Sequence, residues 1–187
     1  MTQTLNRRTT LFLLTACLLA LALVGLIERL TMPWRFAMAR KPPEAAALIY
    51  ALGNDRTAEE ITAINQIAQV IYNEARGIPD KAEQAAVAWC ILNRVDTEGF
   101  PDTITAVIQQ PYQFAWSAKT PIKDELRELA ADVYDRWMLE KTGEDNVGRV
   151  LPAEYLYFYG KNGRNHFRTE WRGGLTYDWA LESPYED

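Results

Sequence analysis

Thr57-Ala58-Glu59-Glu60-Ile61-Thr62-Ala63-Ile64-Asn65-Gln66-Ile67-Ala68-Gln69-Val70-Ile71-Tyr72-Asn73-Glu74-Ala75-Arg76-Gly77 is the stretch that decides the fold. Thr57 with Glu60 three residues later makes a capping box, each side chain satisfying a backbone N–H that the first helical turn leaves free. Ile61, Ile64, Ala68, Ile71 and Ala75 recur at helical spacing and predict one apolar stripe. Gly77 and Pro79 stop this helix. Asp80 and Glu83 then open a second helix that runs to about Val95. Its residues Ala82, Ala85, Ala86, Val87, Ala88, Trp89, Cys90, Ile91 and Leu92 are apolar over most of the surface, which places it in the middle of the core. Asp102 is expected to cap a short helix through Ile108, ended by Pro111. Thr120-Pro121 starts a longer one with the stripe Leu126, Leu129, Ala130, Val133 and Trp137, stopped by Gly143. The tail changes character. Leu156-Tyr157-Phe158-Tyr159 is aromatic and extended, with Gly160 and Gly163 in a turn, and predicts a short hairpin. The class is mostly α with a minor β-hairpin.

Upstream, Arg7-Arg8 precede an apolar run from about Leu11 to Ile27, closed by Glu28-Arg29. The run is apolar on every face, at the short edge for a membrane span, and reads as a signal anchor over residues 1–30. Leu14-Thr15-Ala16-Cys17 has the form of a lipidation box, but the apolar run continues well past Cys17. Residues 31–56, with Pro33, Pro42, Pro43 and Gly53-Asn54, read as a linker, and 57–187 as the folded domain. Arg29, Arg35, Arg40 and Lys41 follow the run, so the positive-inside count does not favour an external domain. External placement rests on the functional argument alone.

A net charge of −5 with no Lys/Arg run excludes a nucleic-acid partner, while 48% hydrophobic residues suffice for a core. Cys17 and Cys90 sit in separate apolar runs and are not read as a disulfide. His166 is the one histidine, too few for a zinc cage, and no metal or other cofactor is expected. Cys90 lies between Trp89 and Ile91 inside an apolar helix, which suits an inert thiol rather than a nucleophile.

Glu74 stands at the edge of the apolar stripe, in the last turn of its helix. Partial burial and the negative end of the helix dipole both favour the neutral carboxyl, the form that donates a proton to a glycosidic oxygen. The structural alternative is a helix-end glutamate paired with Arg76 or a nearby lysine. Gln113, Phe114 and Trp116 lie on a loop between helices. An amide binds an N-acetyl group and an aromatic ring stacks on a pyranose, but the same rings also pack loops against cores. Tyr157 and Phe158 either floor a cleft or fill the core, and strand alternation assigns them both tasks. Arg94 closes the central helix in a structural role. Asp80, Glu83, Asp96, Glu98 and Asp102 are explained by caps and loops, which leaves no second carboxylate to pair with Glu74.

Glu74-Ala75-Arg76-Gly77, Ala85-Ala86-Val87-Ala88, Ile91-Leu92-Asn93-Arg94-Val95, Phe100-Pro101, Gln113-Phe114-Ala115-Trp116 and Tyr157-Phe158, in this order and spacing, closely resemble the SleB-like cell wall hydrolases. That family comprises the spore cortex-lytic enzymes and their phage and vegetative relatives. The resemblance covers about residues 62 to 168. It implies a lysozyme-like helical fold and cleavage of the peptidoglycan glycan strand, by a muramidase or a lytic transglycosylase, with Glu74 as the acid. On the same basis Arg76, Gln113, Phe114, Trp116, Tyr157, Phe158 and His166 are expected to bind substrate. The chain departs from the family at Ile78, where spore enzymes often carry an acidic residue. Its Gly77–Ala85 segment is about one residue longer, and where the family often has a histidine followed at short distance by Phe this chain reads Gly163-Arg164-Asn165-His166-Phe167. The partners implied are peptidoglycan glycan strands and, through the N-terminal segment, a membrane. The catalytic domain would then face the wall, or be secreted if the segment is cleaved. Two other readings stay open: an N-acetylmuramoyl-L-alanine amidase-type wall hydrolase, and a non-catalytic, membrane-tethered glycan-binding domain.

Overall fold

The computed structural model describes residues 56–185. The signal anchor and all of the linker but Arg56 lie outside the described residues, and none of the described helices is long and apolar enough to cross a membrane.

Among the described residues, four helices and one hairpin follow in chain order: α1 (Ala58–Ala75), α2 (Lys81–Val95), α3 (Ile104–Ile108), α4 (Asp124–Lys141), β1 (Tyr157–Lys161) and β2 (Arg164–Arg168). The domain is therefore mostly α with a two-stranded antiparallel sheet, as the periodicities predict. The capping box forms as expected: Thr57 Oγ1 accepts from Glu60 N–H and Thr57 N–H donates to the Glu60 carboxylate. Arg56 also belongs to the folded part, donating to Asp135 at 2.7 Å.

α2 is the central helix. It packs against α1, α3 and α4, and every residue from Ala85 to Leu92 is fully buried. Ala85, Ala86 and Ala88 keep part of its surface narrow, so neighbouring helices approach closely. The apolar stripes of α1 and α4 close over it, except that Ile61, assigned to the α1 stripe, is 49% exposed. It lies in the first helical turn.

Two boundaries differ from expectation. Thr103, not Asp102, caps α3, its side chain accepting from Ala106 N–H. α4 begins at Asp124 rather than at Thr120-Pro121, and its N-cap Lys123 makes no side-chain bond. Thr120 is instead engaged by α1: its Oγ1 accepts from Asn73 and its carbonyl from Gln69. A tertiary contact has taken the residue that local pattern assigned to a helix start.

The hairpin turns at Asn162-Gly163. Both residues have positive φ, 55° and 73°, the backbone a two-residue turn needs to match strand twist. The register pairs Tyr157 with Arg168, Phe158 with Phe167, Tyr159 with His166 and Gly160 with Asn165. Phe167 and Asn165 are buried, whereas Arg164, His166 and Arg168 alternate to the other face. An isolated two-stranded hairpin is at best marginally stable in water. This one is anchored by Phe167 in the core and by a charge carried on α2, described next.

Candidate active site

Glu74 is the penultimate residue of α1 and is half-buried. The last turns of α1 carry three polar side chains toward the loop that leads into α4. Gln69 accepts from Trp116 Nε1 at 2.9 Å and donates to Thr120 O. Asn73 donates to Ala115 O at 2.6 Å and to Thr120 Oγ1. Glu74 Oε1 accepts from Ala115 N–H at 2.7 Å. Ala115 thus uses its carbonyl on one α1 side chain and its N–H on the next, which fixes the loop against the helix end. Oε2 accepts no hydrogen bond among the described residues.

On its other side Glu74 borders an open groove of about 360 Å³ lined by Gly77, Ile78 and the hairpin residues Gly160 to Asn165. Asn165 Nδ2 donates to the Glu74 carbonyl at 3.2 Å, so the second strand touches the end of α1. The hairpin wall is held from below by Glu83. This residue is 0% exposed, accepts from Arg164 Nε at 3.0 Å and accepts from the backbone N–H of Asn165. Glu83 does stand in the first turn of α2, as expected, but Asp80 alone caps the helix, through Ala82 and Glu83 N–H, and the Glu83 side chain reaches β2 instead. Glu83 spends both oxygens on β2. A buried charge survives when it is paired and hydrogen-bonded.

The remaining expected site residues separate into three groups. Arg76 is exposed, stacks on Tyr72 at 5.1 Å and does not line the groove. It forms no ion pair with Glu74, the structural alternative considered for that residue. Trp116 is half-buried, packs against the core and has its indole N–H committed to Gln69, so it holds the loop. Phe114 and Phe158 pack on each other at 6.2 Å, and Phe158 on Phe167 at 5.3 Å, beneath the loop. Gln113 and Tyr157 line a second groove with Phe100 and Trp171. His166 stacks on Tyr159 at 5.1 Å, on the hairpin face away from buried Asn165 and Phe167.

Arg94 joins these groups. It is 3% exposed and no carboxylate among the described residues is within ion-pair reach of it. Its guanidinium donates to Leu156 O at 2.6 Å and to Gln113 Oε1 at 3.0 Å. Phe114, Tyr157 and Phe100 surround it with ring centroids at 4.7, 5.2 and 5.3 Å. Cation–π contacts and carbonyl acceptors take the place of a counter-ion. The structural role expected of Arg94 is thus specific: it ties the loop to the base of the hairpin.

Among the described residues no three His, Cys, Asp or Glu side chains gather in a group that could hold a metal ion. Burial pushes the Cys90 thiol up to about 12, so it stays protonated and unreactive at neutral pH.

Glu74 thus lies half-buried at a helix end, between a pinned loop and a hairpin wall. The chain belongs to the cell wall hydrolase family, whose sequence pattern matches residues 79–176. That match begins just after Glu74 and takes in the loop and the hairpin. Relatives include the spore cortex-lytic enzyme of Oceanobacillus iheyensis, 40% identical over 78 residues, and that of Bacillus subtilis, 36% identical over 78 residues. Each stretch is 40% of this chain, and 28% and 25% of those enzymes respectively. The enzyme of Halalkalibacterium halodurans is 47% identical over 51 residues, 27% of this chain and 15% of its own length. The matches thus span about a quarter or less of these relatives. No solved structure matches the chain.

Proposed function

We propose that the domain cleaves the peptidoglycan glycan strand between N-acetylmuramic acid and N-acetylglucosamine, with Glu74 as the general acid, on a lysozyme-like helical scaffold. The observation that carries this is the placement of Glu74: its Oε1 is held by Ala115 N–H while the side chain borders the hairpin groove. Oε2 then carries the proton. Donation to the glycosidic oxygen breaks the C1–O bond and releases the N-acetylglucosamine side as an alcohol.

The second half of the reaction favours a lytic transglycosylase. Glycosidases that use water or a covalent intermediate generally need a second carboxylate facing the first. The nearest candidates are otherwise engaged. Glu83 is fully buried against Arg164 and Asn165, and Asp80 caps α2 and faces Arg164 at 3.6 Å. A single acid suits attack by the 6-hydroxyl of the muramic acid residue on its own C1. The hydroxyl proton returns to Glu74, a 1,6-anhydro ring closes, and no water is consumed. Mass spectrometry of muropeptides released from purified sacculi is expected to show products lighter by one water than their hydrolysed counterparts. Hydrolysed reducing ends would move the reading to a muramidase. Free stem peptides with intact glycan would replace it by an amidase, and binding without release by a glycan-binding domain.

The substrate places the domain outside the cytoplasm, tethered by residues 1–30 or released from them. A phosphatase fused after Asp187 is expected to be active on the external side, and activity confined to the cytoplasm would refute this placement.

A further inference from the structure

The second groove, of about 450 Å³, is lined by Glu98, Gly99, Phe100, Gln110, Gln113, Tyr157 and Trp171. We infer that it is a separate saccharide site, taking an uncharged N-acetylhexosamine of the strand at a distance from the bond cleaved at Glu74; this rests on the glycan-strand reading above.

Three observations carry the inference. First, Trp171 is 63% exposed and stands edge-on to Tyr157, ring centroids 6.1 Å apart at 63°. Phe100 packs on Tyr157 at 6.1 Å from another direction. The rings make a corner with an open indole, which core packing does not explain. Apolar ring faces match the C–H faces of a pyranose. Second, an amide donor is available to an acetamido group. Arg94 occupies Gln113 Oε1, which leaves that amide's NH2 to donate to an acetyl carbonyl. Third, among the described residues the one charged side chain lining this groove is the acidic Glu98. A carboxylate accepts sugar hydroxyls well and repels the carboxylates of a peptide stem.

The two grooves are linked by the same pieces of chain. Gln113 lines the second groove, and Ala115, two residues on, donates to Glu74. Tyr157 and Gly160 stand three strand residues apart, about 10 Å at the usual strand rise, the first lining the aromatic groove and the second the Glu74 groove. A strand lying across the loop would reach both. Binding at the distal groove would then fix the register of the chain at the acid.

The test is a fluorescence titration of the full chain with the β-1,4-linked hexamer of N-acetylglucosamine, in a Glu74→Gln background so that turnover does not intervene. Saturable binding is expected, weakened roughly ten-fold by Trp171→Ala and largely retained by Trp171→Tyr, which keeps a stacking face. Absence of hexamer binding, equal affinity in Trp171→Ala and the parent, or tighter binding of free stem peptide than of hexamer would each overturn the site. None of these outcomes depends on whether Glu74 is the acid, which muropeptide release tests separately.

Discussion

Glu74→Gln is expected to release muropeptides at least ~10²-fold more slowly than the parent chain, the usual scale for loss of a general acid, while sacculus binding and the unfolding midpoint stay close to the parent values. The geometry explains why the fold should tolerate the change. Oε1 only accepts, from Ala115 N–H, and a glutamine carbonyl accepts there equally well. The substituted NH2 would sit where Oε2 carries the transferable proton, and it cannot supply one. Were Glu74 merely a loop anchor, activity per folded molecule would persist in Glu74→Gln. A folded variant that still releases muropeptides at near the parent rate would sink the mechanism.

Arg94→Ala is expected to destabilise the domain by about 3 kcal/mol, read as a lower urea midpoint. Truncation leaves Leu156 O and Gln113 Oε1 without their donor, and each buried unpaired acceptor costs about 1–3 kcal/mol. It also empties the space between the rings of Phe100, Phe114 and Tyr157. Against this runs the relief of desolvating a cation that has no counter-ion, which holds the estimate below the sum of the separate losses. Set against a typical stability of roughly 5–15 kcal/mol, the change is large. Arg94→Lys should recover little, because an ammonium cannot reach the carbonyl and the amide as a planar fork does. An Arg94→Ala protein that unfolds at the parent midpoint would show the tie to be unimportant.

What the sequence disclosed was whatever is local. The capping box at Thr57, the all-round apolar character of α2 and the α4 stripe follow from spacing alone, and the structure bears them out. The hairpin was expected from its aromatics and glycines, although the stronger sign was the Asn162-Gly163 pair at its turn. Glu74, the proposed acid, stands out by its place at a helix end. What could not be read were partners chosen across the fold. Glu83 has the spacing of an ordinary first-turn glutamate, and nothing nearby in sequence says that it reaches β2, 81 and 82 residues away. Trp116 has the composition of a sugar platform, yet Gln69 claims its N–H. The exposed indole is that of Trp171, in a tail of glycines and aromatics that has no period to interpret. Arg76 and His166 carry the right chemistry on sequence, but the C-terminal turn of α1 and the alternation of β2 leave neither lining the Glu74 groove.

The Glu83 contact also bears on how this protein fails. A wall fastened only to the surface could fray and return, leaving an intact scaffold with a temporarily blunt edge. Here the fastening begins on the innermost helix, from a carboxylate with no exposure to water. Detaching β2 would strand that charge in an apolar interior, at a penalty far above that of losing a surface pair. Wall and interior are therefore expected to come apart as one cooperative unit, and the groove stays shaped for as long as the helices remain packed.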